Sequence, residues 1–239
     1  LEAQTPGLRS IIIIEACNSG SFLFTPQSIS KPGRIVITST GPVQQAYPSD
    51  WSAIFTEQMV TALYNGRTLF DAFLTARAAA SKAHIDQTPF MDDNGNSLFD
   101  ATDGQEAQHF GLGSAAFPGD VSWPPMIVAA TAVRSSGSHG TLSATVVDDR
   151  EIRSGLVRAV LYPPSYVPPP SGDQLRQENL PSVTLADPDH DGVYTGEWDG
   201  FTEAGVYRVV FYARDDDARA AQPYAVESGA WVYLPAITR

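Results

Sequence analysis

The sequence predicts a partial α/β layer, a parallel sheet with flanking helices, followed by an all-β sandwich. Over residues 1–117, two buried strand patterns and two amphipathic helix patterns alternate with turns, an order typical of α/β layering. The Pro-rich stretch 118–125 breaks the composition, and short β-rich runs follow it. We therefore predict one domain over 1–117 and a second over 126–239, joined by a linker at 118–125.

The first strand pattern is the isoleucine run Ile11–Ile14. Four consecutive isoleucines bounded by polar residues predict a short strand buried on both faces of a parallel sheet. Cys17, the single cysteine of the chain, follows at once with Asn-Ser-Gly-Ser after it, and these residues favour a tight loop and a helix start. Because ligands of open α/β sheets bind at the carboxyl ends of strands, Cys17 is a candidate nucleophile. The alternative is a small, buried apolar side chain.

A second strand and two helices follow the cysteine loop. The β-branched run Arg34–Thr40 predicts the strand. Apolar residues at helical spacing predict a helix that begins near Ser49 and Asp50 and ends at Gly66. Thr68 is expected to cap the second helix, which buries another apolar stripe.

Beyond residue 125 the hydrophobic period changes to that of strands. The predicted strands are Met126–Val133, Thr141–Val147, Leu156–Tyr162, Ser182–Leu185, Gly192–Trp198, Val206–Ala213 and Ala230–Leu234. Their number and spacing are typical of an immunoglobulin-like sandwich. Tyr207, two residues after Gly205 at the start of a strand, is expected to form the tyrosine corner of such a domain. An unrelated β-sandwich or barrel is the alternative.

Composition narrows the classes of function. The apolar fraction of 43% is large enough to form hydrophobic cores, and it argues against general disorder. A net charge of −12 argues against nucleic acid and anionic membrane surfaces as partners, and it is compatible with cation binding. The sequence contains no apolar stretch as long as a membrane span. Few lysines with many Asp, Asn, Gly, Thr and Tyr residues suggest an exported bacterial protein, so we expect an extracytoplasmic or secreted location with the signal peptide outside this chain.

The segment around the cysteine resembles a known clan of enzymes. An apolar strand, Glu15, a small residue, Cys17 and then Ser19-Gly20 resemble the cysteine segment of the caspase, legumain and gingipain clan of cysteine peptidases, and legumain-like members most closely. The later order of a strand ending in Thr/Ser, two helices and a Gln-Thr-Pro turn at 87–89 is similar too, over roughly residues 8–117. The resemblance implies a caspase-like fold, a polypeptide substrate and acyl transfer to the Cys17 thiolate without a cofactor.

The same resemblance implies a substrate pocket near the cysteine. The candidate pocket residues are Glu15, Thr38, Ser39 and Thr40. Legumain-like relatives prefer Asn or Asp before the scissile bond, whereas Glu15 and Asp50 would favour a basic residue by charge complementarity. Either acid is equally well explained as a solvated loop group or a helix cap.

The catalytic base is not found in the expected place. Because a thiol is only slightly ionised at neutral pH, an imidazole must favour the thiolate. In relatives, this His precedes a Gly on an upstream strand, and the backbone N–H beside it helps form the oxyanion hole. No His-Gly pair precedes Cys17, and the four histidines His84, His109, His139 and His190 all follow it.

Three explanations of the missing base stay open. The base and the first strands lie upstream of Leu1, in an N-terminal fragment of the same precursor; the chain is an inactive remnant; or the likeness is coincidental. We expect the first, with the open sheet edge pairing with that fragment or with a second copy. The alternative function is a non-catalytic, calcium-stabilised extracellular binding module with a degenerate peptidase-like domain.

Two acidic loops suggest structural Ca²⁺, because carboxylates at alternating positions turn their oxygens toward one hard cation. The first candidate site consists of Asp187, Asp189, Asp191, Thr195 and Glu197. The second consists of Asp92, Asn94, Asn96, Asp100 and Asp103, with Ser97 where calcium loops carry Gly. An Asx-rich turn without metal explains either pattern equally well.

Overall fold

The structure is a computed structural model that describes residues 8–24, 26, 28–47, 53–83, 86–112, 124–150, 152–153, 155–167 and 180–229. Within these ranges the protein is mixed α/β, with two α-helices and three small sheets. The elements of the first part are β1 (Ser10–Ile14), β2 (Arg34–Thr38), α1 (Ile54–Tyr64), α2 (Leu69–Lys82) and β3 (Phe90–Asp92). Neither described helix combines the length and the apolar character that crossing a membrane requires.

The first sheet has the strand order β1-β2-β3. β1 and β2 are parallel, as predicted, whereas β3 runs antiparallel to β2 and was not predicted as a strand. Both helices pack on one face of this sheet, where Ile35, Ile37 and Met91 are fully buried against Phe55 and Phe73. The core of the first part therefore lies over β2 and β3.

The isoleucine strand is less buried than its sequence predicts. Ile11 and Ile13 keep 43% and 44% of their surface exposed. They share a sheet face with Ile35 and Ile37, their partners in register. The helices cover β2 and β3 but leave β1 at the edge of the described sheet, so the prediction of burial on both faces is wrong for this strand.

The helix ends follow the local sequence at three of four positions. Gly66, at φ 76°, ends α1 as predicted, and the amide of the next residue donates to Ala62 O at 3.1 Å. The Thr68 side chain accepts a hydrogen bond from Asp71 N and caps α2 as predicted. Lys82 lies in the last turn of α2, where a cation is favourable. In the described structure α1 begins at Ile54, and the predicted caps Ser49 and Asp50 lie outside the described residues.

The second part contains two antiparallel sheets. Its strands are β4 (Met126–Ser136), β5 (His139–Val147), β6 (Val157–Tyr162), β7 (Ser182–Thr184), β8 (Val193–Trp198), β9 (Arg208–Ala213) and β10 (Tyr224–Glu227). One sheet has the order β4-β5-β8 and the other β10-β9-β6-β7. A single apolar core joins them, with Leu142 and Ala144 from one sheet against Leu161, Val209 and Phe211 from the other.

Six of the predicted β runs form strands here, although their ends shift by up to three residues. The run Ala230–Leu234 and the linker residues 118–123 lie outside the described residues. β10 was not predicted, because Tyr224–Glu227 is too short and too exposed to show an alternating pattern. Tyr207 makes the predicted contact: its hydroxyl accepts from Glu203 N at 2.9 Å and lies 3.4 Å from Gly200 O.

The two parts share a buried interface. Ile54, the first residue of α1, and Ala83, the residue after α2, lie in one apolar cluster with Tyr162, Val210 and Tyr212 from the second part. Polar contacts between α1 and the segment before β10 add to this cluster. The helices therefore pack against the sheet on one side and against the all-β part on another.

Candidate functional site

Cys17 lies at the carboxyl end of β1, three residues after the strand ends at Ile14. Its thiol is free, and the residue is half-buried. The chain then enters a short 3-10 helix, Ser19–Phe22, with Asn18 at φ 57° before it. Asn tolerates this left-handed conformation better than most residues, so the loop turns sharply just after the cysteine.

Hydroxyl groups from the end of β2 hold this loop. Ser19 N donates to Thr40 Oγ1 at 3.0 Å, and Thr40 N donates to Ser19 Oγ at 3.1 Å. On the other side of the cysteine, Thr40 Oγ1 donates to Ala16 O at 3.0 Å, and Ala16 N donates to Ser39 Oγ at 3.3 Å. Both neighbouring segments of Cys17 are therefore fixed to the strand beside it.

Three of the four residues predicted for the substrate pocket lie at the end of β2, beside the cysteine loop. Thr38, Ser39 and Thr40 are fully buried, and hydroxyl groups of the last two bind the cysteine loop. Gln87 Nε2 donates to Ser39 O at 3.0 Å and so fixes the end of β2. A direct role of these side chains in holding substrate stays a prediction.

A second turn supports the loop from the side. Asn18 N donates to Gln44 O at 2.7 Å, and Gln44 Oε1 accepts from Gly41 N and Thr88 N, both at 2.9 Å. Gly20 packs against this turn so closely that an added Cβ would lie 2.7 Å from Gly41 C. The Gly of the Asn-Ser-Gly motif is therefore required by backbone approach.

Glu15 binds the start of α1. Its Oε2 accepts from Thr56 N at 3.0 Å and from Thr56 Oγ1 at 2.7 Å. Thr56 is the third residue of α1, and Ala53 at the N-cap offers no side-chain acceptor. Glu15, the residue after β1, thus supplies the oxygen that an N-cap side chain normally provides.

None of the described histidines can be placed beside the thiol. His109 lies at the other end of β1, because its neighbour Glu106 pairs at 2.8 Å with Arg9, just before the strand. His139 lies in the second part and pairs with Asp199 at 2.6 Å, which raises the pKa of His139. His190 lies in the second part as well. His84 falls outside the described residues.

No model of a known protein family matches this chain. No curated protein matches it either. The geometry around Cys17 and the sequence resemblance therefore carry the functional argument.

The Asp92 loop adopts a wrapped conformation. Asp92, fully buried, accepts from Asn94 N, Gly95 N and, at 2.6 Å, from Ser97 N. Ser97 has φ 64°, the conformation that calcium loops give to Gly at the sixth position. Asp103 lies beside Asp92, since its Oδ1 accepts from Asp93 N at 3.2 Å, and burial raises the pKa of Asp103 to about 6.

The Asp187 loop is more open. Asp187 accepts from Asp191 N at 3.2 Å and from Gly192 N at 2.9 Å, while Asp189, Thr195 and Glu197 are exposed. In the part of the chain that the structure describes, no group of three or more His, Cys, Asp or Glu side chains is arranged to hold a metal ion. Calcium at either loop stays a prediction, and the Asp92 site would depend on the amide oxygens of Asn94 and Asn96.

Sequence reasoning missed the residues that support the cysteine from a distance. Thr56 and Gln87 contact Glu15 and Ser39 across 40 or more positions in sequence, and Gln44 contacts Asn18 from the turn that follows the second strand. No periodic signal marks such residues. The Gln87-Thr88-Pro89 turn, recognised only by resemblance, contacts both Ser39 and Gln44.

Proposed function

We propose that this chain is the C-terminal part of a legumain/caspase-like cysteine endopeptidase, with Cys17 as the nucleophile. The observation that carries the proposal is the placement of Cys17, at the carboxyl end of a strand parallel to its neighbour and in a loop fixed on both sides. A nucleophile must be held in a near-attack geometry while its thiol stays accessible. A half-buried thiol in a fixed loop meets both needs.

The proposed base would lie on a strand beside β1, which stands at the edge of the described sheet. Ile11 and Ile13 are partly exposed on β1. A further parallel strand paired with β1 would bring its own carboxyl end beside Cys17. We infer that this strand carries the His and the oxyanion-hole N–H, as in the clan.

The all-β part is proposed to be an immunoglobulin-like domain. The two sheets β4-β5-β8 and β10-β9-β6-β7 around one core support this, as does the hydroxyl of Tyr207 bound to the backbone upstream of β9. Structural Ca²⁺ at the Asp92 loop and an extracytoplasmic location belong to the same proposal. The sandwich would stabilise the peptidase part or present it to a surface.

The alternative function is a calcium-stabilised binding module whose cysteine is inert. The wrapped Asp92 loop fits this alternative as well, because a bound Ca²⁺ there would stabilise the fold whether or not Cys17 is a nucleophile. Covalent labelling separates the two. The protein as its gene encodes it is treated with a peptidyl acyloxymethyl ketone and with unlabelled peptide libraries.

The peptidase proposal predicts one label per chain, on Cys17, and cleavage of peptides that Cys17→Ala abolishes. His84→Ala is the companion variant, and it should leave both intact. Labelling that persists in Cys17→Ala, or a library left uncleaved by a protein that binds Ca²⁺ and folds, would support the binding module instead.

A further inference from the structure

One helix connects the cysteine loop to the all-β part. The amino end of α1 binds Glu15, two residues before Cys17. Two side chains further along the helix bind the segment that leads into β10. Gln58 Nε2 donates to Ala221 O at 2.7 Å, and Ala220 N donates to Thr61 Oγ1 at 3.3 Å.

The contacts of α1 to the all-β part are buried. Gln58 and Thr61 are 2% and 7% exposed, so their hydrogen bonds are shielded from water. Ile54, the first residue of α1, lies in the apolar cluster that contains Val160 and Val210. Buried polar groups that lose a partner are costly, which fixes the helix against the second part.

The contact of α1 to the cysteine loop is equally specific. One oxygen of Glu15 accepts both Thr56 donors, while Oε1 is buried and has no hydrogen-bond partner in the described structure. The positive end of the helix dipole faces this carboxylate. Both hydrogen bonds of the Glu15 carboxylate go to Thr56, so α1 sets the position of this side chain.

We propose that Glu15 is a positioning residue for Cys17 and that the all-β part sets the position of Glu15 through α1. The all-β part would then be a structural component of the cysteine site and not an independent appendage. This inference rests on the proposed function for its meaning in catalysis. The mechanical link itself does not depend on Cys17 being a nucleophile.

Hydrogen exchange tests the link directly. Gln58→Leu removes the donor to Ala221 O, more than 160 positions away in sequence, and does not touch the cysteine loop. We expect amide exchange in residues 16–22 to become roughly fivefold to tenfold faster, because a lost buried hydrogen bond changes an opening equilibrium by about that factor. Faster exchange confined to 54–65 and 220–225 would overturn the inference.

Variants at the other end of the helix give a second readout. Glu15→Ala should speed exchange in 16–22 and slow iodoacetamide alkylation of Cys17 by about tenfold. Glu15→Gln should restore both to within about twofold, because its amide oxygen still accepts from Thr56. If Glu15→Ala does not fold, Thr56→Val removes one of the two donors and should give a smaller change of the same sign.

Glu106→Ala is the matched control, since this Glu pairs with Arg9 at the opposite end of β1 and should change neither readout. Failure of the inference and failure of the proposed function are distinguishable. A wild-type Cys17 that alkylates no faster than free cysteine contradicts the nucleophile, and hydrogen exchange then decides the link alone. Fast alkylation that is unchanged in Glu15→Ala, together with unchanged exchange, overturns the link and leaves the nucleophile standing.

Discussion

Ser19 and Thr40 bind each other reciprocally, each backbone N–H donating to the other's hydroxyl, at 3.0 and 3.1 Å. The two hydroxyl oxygens are themselves 3.0 Å apart. Both residues are fully buried. The loop that carries Cys17 is thus joined to the neighbouring parallel strand by a small hydroxyl network instead of by ladder hydrogen bonds.

Replacing Thr40 by Val should destabilise the protein markedly. The variant keeps the side-chain shape but removes the hydroxyl that binds Ser19 N and Ala16 O. These two groups then keep only their 3.3 Å hydrogen bond to each other, and we expect a cost of about 1–3 kcal/mol. Urea unfolding measures the change. Thr131→Val, at an exposed position of β4, is the control and should stay within about 0.5 kcal/mol of wild type. Equal stabilities of the two variants would contradict the role of the network.

Gly20→Ala should be destabilising for a different reason. The new Cβ would lie 2.7 Å from both Gly41 C and Pro42 N, and backbone atoms cannot move aside as a side-chain end can. We expect a loss of about 1–3 kcal/mol in thermal or urea unfolding. Gly229→Ala, with nothing within 4 Å of its added Cβ, is the matched control. A neutral Gly20→Ala would show that the 3-10 helix does not pack against the turn as described.

Asp103 should make stability depend on pH in the absence of calcium. Its pKa is about 6 in the folded protein because of burial, whereas an unfolded Asp titrates near 3.9. At pH values between these two pKa values the folded state binds more protons than the unfolded state. Stability therefore falls as pH rises from about 4 to 6, and it stays lower above pH 6. We expect Asp103→Asn to reduce this change in the free energy of unfolding with pH by about 1–3 kcal/mol. Asp148, whose pKa is also about 6, stays in the variant, so part of the dependence remains.

Bound calcium should offset the loss of stability that the ionised Asp103 causes above pH 6. A bound cation favours ionised carboxylates, so Ca²⁺ should raise the melting temperature of the wild type above pH 6 relative to EDTA. Asp103→Asn should lose most of that rise, and Asp189→Asn, in the other acidic loop, should keep it. The opposite pattern would assign the ion to the Asp187 loop, and no rise in any variant would argue for metal-free Asx turns.

The sequence predicts those features that depend on local chemistry. The caps at Thr68 and Gly66, the β2 strand and six of the β runs depend on neighbouring residues, and the structure contains them. β3 was missed because Phe90–Asp92 is only three residues long. At the amino end of α1, the oxygen that binds Thr56 comes from Glu15, 41 positions away, and local sequence does not predict such a contact.

In the candidate site, too, local sequence predicts some features, whereas contacts from distant residues are not predicted. The cysteine, the sharp turn after it and the Gly that follows are predicted from adjacent residues. The support from Gln44 and Gln87 is not, since each contacts residues on another part of the chain. Burial at Ile11 was predicted too high because the pattern of a strand does not reveal how far its covering helices extend.

The most direct test of the central claim is the rate of iodoacetamide alkylation of Cys17 at pH 7, in the gene-encoded protein and again after unfolding in urea. We expect the folded protein to react faster than free cysteine and unfolding to slow the reaction to the rate of an ordinary thiol. A folded Cys17 that reacts only after unfolding would contradict the claim, because a buried structural cysteine behaves in that way.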